Sequence, residues 1–198
     1  KQFLRNSTIN VVYDLNKENS GSVFAQWKRG VERATGEYVW IAEADDWADP
    51  EFLAVTTRAL QSDGVVLAYT QSNQVDQNGT VLARDYLDYV VDISEDQWLT
   101  SYVRAGHEEA GRAMSIKNVA PNVSGILFKR EVLLSVLREY ETEIQSYRVA
   151  GDWFVYANVL RHGDVAFSAL SLNYHRRHHH SVTISRFSLP DLAEIARM

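Results

Sequence analysis

The chain has 198 residues, 45% hydrophobic and 23% charged, with a formal net charge of −6. That length and composition suit one soluble globular domain spanning residues 1–198 with a sizeable core, and the acidic balance argues against a general nucleic-acid binder. The absence of cysteine excludes a disulfide framework and a Cys-based zinc site, and no apolar run approaches the roughly 20 residues of a membrane span.

In chain order, Thr8 to Tyr13 (TINVVY) predicts a short β-rich strand. Asn19, Ser20 and Gly21 break the chain, and Ser20 or Ser22 can cap a following helix whose apolar stripe is Val23, Phe24, Trp27, Val31 and Ala34. Thr35-Gly36 ends that helix. Tyr38 to Ala42 is a compact apolar run, expected as a strand covered on both faces. Asp49-Pro50 opens the next helix, with Asp as N-cap, Pro at the first helical position, and Phe52, Val55, Ala59 and Leu60 inward.

Val65 to Tyr69 predicts another strand, and the turn signal Asp76-Gln77-Asn78-Gly79 makes Val81 to Ala83 a returning one. Asp85 to Val119 is aromatic, charged and weakly periodic, and is expected to hold helices and loops. Ser124 to Phe128 predicts a strand, Lys129 to Tyr140 a helix, and Asp152 to Arg161 an amphipathic helix closed by Gly163. Val165 to Leu170 and Leu172 to Tyr174 predict two further strands, and Pro190 starts a C-terminal helix. Strands alternating with helices point to an α/β domain around a mostly parallel sheet, whose ligands bind beyond the carboxyl ends of the strands.

Four stretches can carry chemistry. Glu43, Asp45 and Asp46 place three carboxylates in four positions directly after a strand. They can form a hard oxygen site for Mn²⁺ or Mg²⁺ beside phosphates, or a solvated acidic turn leading to a helix. Asp152, at a helix start, can act as a general base or as a helix cap. Arg176, Arg177 and His178, within LNYHRRHHHSVT, can bind a diphosphate or a metal, or form a solvated basic loop. Asn19-x-Gly21 before a helix can present backbone N–H groups to a phosphate, or simply cap that helix.

Taken in order, NSGSVFAQWKRGVERATGEYVWIAEADDWADPEFL, NVSGILFKREVL, GDWFVYANVLRHGDVAF and LNYHRRHHHSVT resemble the family 2 glycosyltransferases of the GT-A fold. The likeness runs from about Thr8 to Thr183 and is greatest to the branch that serves bacterial O-antigen, capsule and rhamnan synthesis. The resemblance implies an inverting, metal-dependent transfer of sugar from a nucleotide-sugar donor to a glycan or lipid-linked glycan acceptor. It puts the protein in the cytoplasm, soluble or peripheral at the membrane face. It implies Asp45 and His178 at a divalent cation, Mn²⁺ or Mg²⁺. Glu43, Asp46, Arg176, Arg177 and Asn19 fall on the donor diphosphate side, and Asp152 is the base that deprotonates the acceptor hydroxyl.

The sequence departs from the family pattern in three ways. Glu43 stands where the family usually has Asp, and Gln26-Trp27 stand where it often has Arg-Asn. Thr8 to Tyr13 aligns with a later strand of the fold, so a strand and a helix-strand unit that hold the nucleotide base are expected ahead of Lys1. A non-catalytic sugar- or partner-binding module derived from such a domain is the alternative. A nucleotidyltransferase would need a Gly-rich basic N-terminal loop, which the sequence lacks.

Overall fold

The computed structural model describes residues 10–177 and 189–197. Residues 10–13 carry no strand pairing and are exposed, so the strand expected over Thr8 to Tyr13 is not seen across its described part. β-branched composition raises β-propensity, but a strand also needs a neighbour to complete its hydrogen-bond ladder.

Ser22 caps α1 (Val23–Arg33), its Oγ accepting from the Ala25 N–H at 3.3 Å. Phe24, Trp27 and Val31 bury the inner stripe, whereas Val23 stays exposed. Next come β1 (Tyr38–Trp40), an acidic turn, and β2 (Trp47–Ala48). α2 (Phe52–Leu60) begins two residues beyond Pro50; Asp49 still organises its start, accepting the Glu51 N–H on Oδ1 at 2.9 Å. Its buried residues are Phe52, Thr56 and Leu60, with Ala59 half-buried against the same cluster as Leu60, so Thr56 is the inward residue the sequence reading left out. The Thr56 hydroxyl donates to the Phe52 carbonyl at 2.7 Å, which lets it face the core without an unpaired donor.

β3 (Val65–Val75) is twice as long as its apolar start suggested, and the Asp76–Gly79 turn returns it to β4 (Val81–Ala83). Gly79 supplies the positive φ of 86° that the turn needs, and the Asp76 carboxylate accepts the N–H groups of Asn78 and Thr80 at 2.8 Å. The weakly patterned middle contains α3 (Leu87–Val90), β5 (Tyr102–Arg104), α4 (Gly106–Glu109) and a π-helical turn over Ala110–Met114. A 3₁₀ turn over Val123–Gly125 then leads into β6 (Ile126–Lys129), α5 (Arg130–Glu139) and α6 (Glu141–Ser146). Last come α7 (Gly151–Val159), β7 (Asp164–Arg176) and α8 (Leu189–Ile195). The two strands expected over Val165 to Tyr174 are one strand, with register shifts against β3 opposite Gln71.

The sheet order is β1-β6-β3-β7-β2, with β4 on β3 and β5 on β7. The α/β class holds, but the pairing is mixed rather than mostly parallel: β3–β7 is the parallel pair, and every other pair is antiparallel. Alternation of strands and helices gives the order of elements but not their direction, and β6 enters between β1 and β3 against both. It follows that β1, β3 and β7 run the same way. β1 ends level with Ala68 of β3, whereas β3 and β7 run on together to Val75 and Arg176, where β2 pairs with β7.

Helices cover both faces. Val66, Leu67, Tyr69, Ile126, Phe128, Val165 and Phe167 join the main core with residues of α1, α5 and α7. Val65, Ala68, Leu127 and Ala166 face the other way toward Leu60 of α2. Along β6 and β7 this alternation is the period of two of a sheet buried on both sides, whereas in β3 it is broken at Val66 and Leu67, where the register against β7 shifts. A fully buried side chain such as Phe128 contributes about 2 to 3 kcal/mol by leaving water.

Candidate active site

The acidic turn lies between β1 and β2, against Arg176 at the carboxyl end of β7. The Asp46 N–H donates to the Glu43 carbonyl at 3.4 Å and closes the turn, while the Glu43 N–H donates to Ser124 Oγ at 3.0 Å. Trp40 Nε1 donates to the Ser124 carbonyl at 2.7 Å, so Ser124, just before β6, fixes both ends of the segment. Asp46 is gripped from two sides: Oδ2 accepts Asn122 Nδ2 at 2.6 Å, and Oδ1 accepts the Arg176 N–H at 2.8 Å.

Beneath Asp46 the polar chain continues inward. Asn173 Nδ2 donates to Asn122 Oδ1 and to Ser72 Oγ, both at 2.9 Å, and all three residues are buried. A Cβ at Gly125 would stand 3.3 Å from Asn173 Nδ2 and from Ser72 Oγ, so glycine leaves this network its room. Buried amides and hydroxyls tied in series make a rigid floor for the turn.

Glu43, Asp45 and Asp46 each offer a carboxylate oxygen, and these oxygens all lie within 4.8 Å of one another. Partial desolvation, then repulsion from Asp46, Asp45 and Asp152, pushes the Glu43 carboxyl up to about 7. Clustered like charges with hard oxygen donors are the chemistry that a divalent cation relieves, so the residues fit Mn²⁺ or Mg²⁺. Asp46 also accepts two hydrogen bonds that orient the turn.

Asp152 is the second residue of α7. Its Oδ1 accepts the Trp153 N–H at 2.7 Å and its Oδ2 accepts Asn118 Nδ2 at 3.0 Å. Burial raises its carboxyl to about 6; the hydrogen bonds from the backbone and Asn118 pull the other way, and the Glu194 charge adds to the rise. Its charge reaches Glu43, which brings the acidic turn and the helix start into one electrostatic site. One turn further along α7, Tyr156 is fully buried, and its hydroxyl has no hydrogen-bond partner among the described residues. Burial first, then the charges of Asp152 and Glu43, hold that phenol well above the ordinary tyrosine range.

The basic end of β7 braces the acidic turn. Arg176 Nε donates to the Asp45 carbonyl at 2.9 Å, and Nη1 donates to the carbonyls of Asp76 at 2.9 Å and Gln77 at 2.7 Å. Its guanidinium also lies 5.1 Å from the Trp47 ring centroid, and Trp47 stacks on Tyr174. One side chain thus ties the acidic turn to the β3–β4 turn. The Arg177 N–H donates to the Val75 carbonyl at 2.8 Å, and Nη1 donates to Tyr86 Oη at 3.3 Å, with Tyr86 Oη 2.6 Å from His175 Nδ1.

Of the residues singled out in the sequence, Glu43, Asp45, Asp46 and Arg176 are joined by direct bonds or mutual proximity, and Asp152 joins them through its field. Arg177 stands beside them, on Tyr86. Asn19 Oδ1 accepts the Gly21 N–H at 3.1 Å in a local turn before α1. His178 lies outside the described residues.

Sequence reasoning did not single out Asn118, Asn122, Ser124 or Glu194. Asn122 and Ser124 carried a faint signal, small polar residues packed against the start of a buried strand. Asn118 lies in the segment with no clear period, and Glu194 reads as a surface residue of a short helix.

An α/β sheet covered on both faces, with an acidic turn at the carboxyl end of β1, is the arrangement of a GT-A-type glycosyltransferase domain. The sequence matches the family profile described as Glycosyl transferase family 2 over residues 1–133. The chain therefore belongs to glycosyl transferase family 2, and its domain is of the sugar-transferring kind. No curated protein matches the sequence. Among the described residues, no helix is long and apolar enough to cross a membrane.

Proposed function

We propose that this domain transfers a sugar from a nucleotide-sugar donor to a glycan or lipid-linked glycan acceptor, with inversion at the anomeric carbon. Its setting is bacterial cell-surface polysaccharide assembly in the cytoplasm, at the inner face of the membrane. The observation that carries this reading is the approach of two acidic groups close enough for their charges to interact: the Glu43–Asp46 turn, and Asp152 at the start of α7. Only the first has the clustered oxygens that suit a cation. The second is a single carboxylate whose protonation midpoint, about 6, suits proton abstraction near neutrality.

In this mechanism Asp152 accepts the proton of the acceptor hydroxyl as that oxygen bonds to the anomeric carbon. The bond from the anomeric carbon to the diphosphate oxygen breaks on the opposite side, and the nucleoside diphosphate departs with the bonding pair. A divalent cation, Mn²⁺ or Mg²⁺, held by Glu43 and Asp45 would supply neutralisation of charge on the departing diphosphate. Asp46 holds the turn in register through Asn122 and the Arg176 N–H. Arg176 and Arg177 place positive charge at the carboxyl end of β7, and Arg176 keeps the turn from swinging away.

The test is release of nucleoside diphosphate from uridine, thymidine and guanosine sugar donors in the presence of Mn²⁺. Release that depends on acceptor is expected for one class of donor. No release with any of them would favour a non-catalytic binding module. A second measurement addresses the cation: Mn²⁺ with a nucleoside diphosphate should raise the melting temperature, by linkage on the order of 2 to 3 kcal/mol at a hundredfold excess over Kd. Asp45→Ala should abolish that rise, and an unchanged response would remove Asp45 from the metal site.

A further inference from the structure

The turn that presents Asp152 is held by a carboxylate from the far end of the chain. Glu194 of α8 accepts three consecutive backbone N–H groups: Oε2 takes that of Arg148 at 2.9 Å, and Oε1 takes those of Val149 and Ala150 at 2.6 Å each. Glu194 is only 7% exposed, and Asp191 on the same helix lies 3.2 Å from Arg148 Nε as an ion pair. Those three N–H groups immediately precede α7 and point outward from its positive end, where a carboxylate is held by charge-assisted hydrogen bonds. Residues 189–197 also lie beyond the stretch that matches the family profile, so nothing in that match assigns them a part.

We infer that Glu194 is a positioning residue: α8 inserts its carboxylate into the amide cluster of Arg148, Val149 and Ala150 and thereby fixes the turn that aims Asp152 at the acceptor. This role in catalysis rests on the reading of Asp152 as the base. Geometry alone requires the clasp itself. Three N–H groups running from exposed Arg148 to buried Ala150 need acceptors, and Glu194 provides them in a form no neutral side chain matches. Asn118 holds the same aspartate from the opposite side, so Asp152 is set between one restraint on its carboxylate and another on its backbone.

The charged and titratable groups that face Asp152 are Glu43 from the acidic turn, Tyr89 from α3, Tyr156 from α7 itself and Glu194 from α8. Of these, Glu194 also saturates the helix end, so removing its charge both deletes a neighbouring anion and frees positive dipole toward Asp152. Both effects favour the carboxylate form, and the acid limb of the rate profile should move to lower pH.

The experiment uses the full chain as Glu194→Gln and Glu194→Ala, with hydrogen exchange followed across residues 147–154. Exchange there is expected to quicken by about tenfold in both variants, with the protection of β3 and β7 unchanged. In acceptor-dependent transfer, Glu194→Gln should lower kcat several-fold, leave the donor KM within about twofold, and shift the acid limb downward. Unchanged exchange at residues 147–154 would overturn the clasp. A fall in kcat with no shift of the acid limb, or with an equal loss of donor affinity, would overturn the positioning role. If the unaltered chain transfers sugar from no donor, the reading of Asp152 as base fails. The carbon-13 titration of the Asp152 carboxyl in Glu194→Gln then decides the clasp together with exchange: a lowered midpoint supports it, and an unmoved one overturns it.

Discussion

Asp152 is a helix-start carboxylate that accepts its own helix's Trp153 N–H, which would by itself favour ionisation. Burial opposes this and wins, leaving the group at about 6, ionised at neutral pH yet still a useful proton acceptor. The helix-cap role is not seen, since Ala150 stands at the N-cap; one Asp152 oxygen accepts the Trp153 N–H and the other faces Asn118. Asp152→Asn keeps shape and hydrogen-bonding reach but cannot take a proton. Its expected outcome is a loss of transfer by about 10² or more, with donor binding near normal, read as kcat against the Kd for nucleoside diphosphate. Turnover equal to that of the unaltered protein would remove Asp152 as the base.

At the scale of elements, the second half of β3 and the segment after it do what apolar periodicity could not announce. Thr70, Gln71, Ser72 and Asn73 are buried although polar, because β7 pairs with them and their side chains find partners: Ser72 in the network under the acidic turn, and Thr70, Gln71 and Asn73 on backbone groups. The weakly patterned segment is pinned at Glu109, which is fully buried. It accepts Arg104 Nη1 at 2.7 Å and Tyr102 Oη at 3.0 Å, and Tyr102 Oη in turn lies 2.9 Å from Tyr69 Oη on β3. Past the π-helical turn, the Met114 carbonyl accepts Trp153 Nε1 at 2.8 Å, and Asn118 reaches Asp152. Glu109→Ala should therefore cost about 3 kcal/mol or more, since it strands the Arg104 guanidinium and removes an acceptor of the Tyr102 hydroxyl. That corresponds to a drop of roughly 10 °C in melting temperature. A change within experimental error would show that the segment is held by apolar contacts alone.

For the molecule as a whole, two raised carboxylates make stability fall as pH rises. Unfolded Asp and Glu titrate near about 4, whereas Asp152 and Glu43 titrate at about 6 and about 7 in the fold. The folded chain thus binds more protons between those limits. The stability it gains is fully present below the unfolded values and is lost as pH rises through 6 and then 7. Thermal melts of metal-free protein should show a declining midpoint across that window. The rise on adding Mn²⁺ should be larger at pH 8 than at pH 5.5, because Glu43 must shed its proton before it can serve a cation. The opposite slope with Mn²⁺ would mean that Glu43 takes no part in holding the metal.

The sequence by itself determined the local pieces of this protein. Helical stripes such as Phe24, Trp27 and Val31, the Asp76–Gly79 turn, and three carboxylates after a strand all depend on neighbours a few residues apart. Their chemistry is legible because spacing along the chain is also spacing in space. Strand direction, the full length of β3 and β7, and the partners Ser124, Asn122, Asn118 and Glu194 depend on residues 34 to 101 positions apart in the chain. Such partners are chosen by packing and by the need to satisfy buried polar groups, and neither leaves a period in the sequence. Only the tertiary structure decided that β1, β3 and β7 run the same way, and that an acidic turn and a helix start more than 100 residues apart share one site.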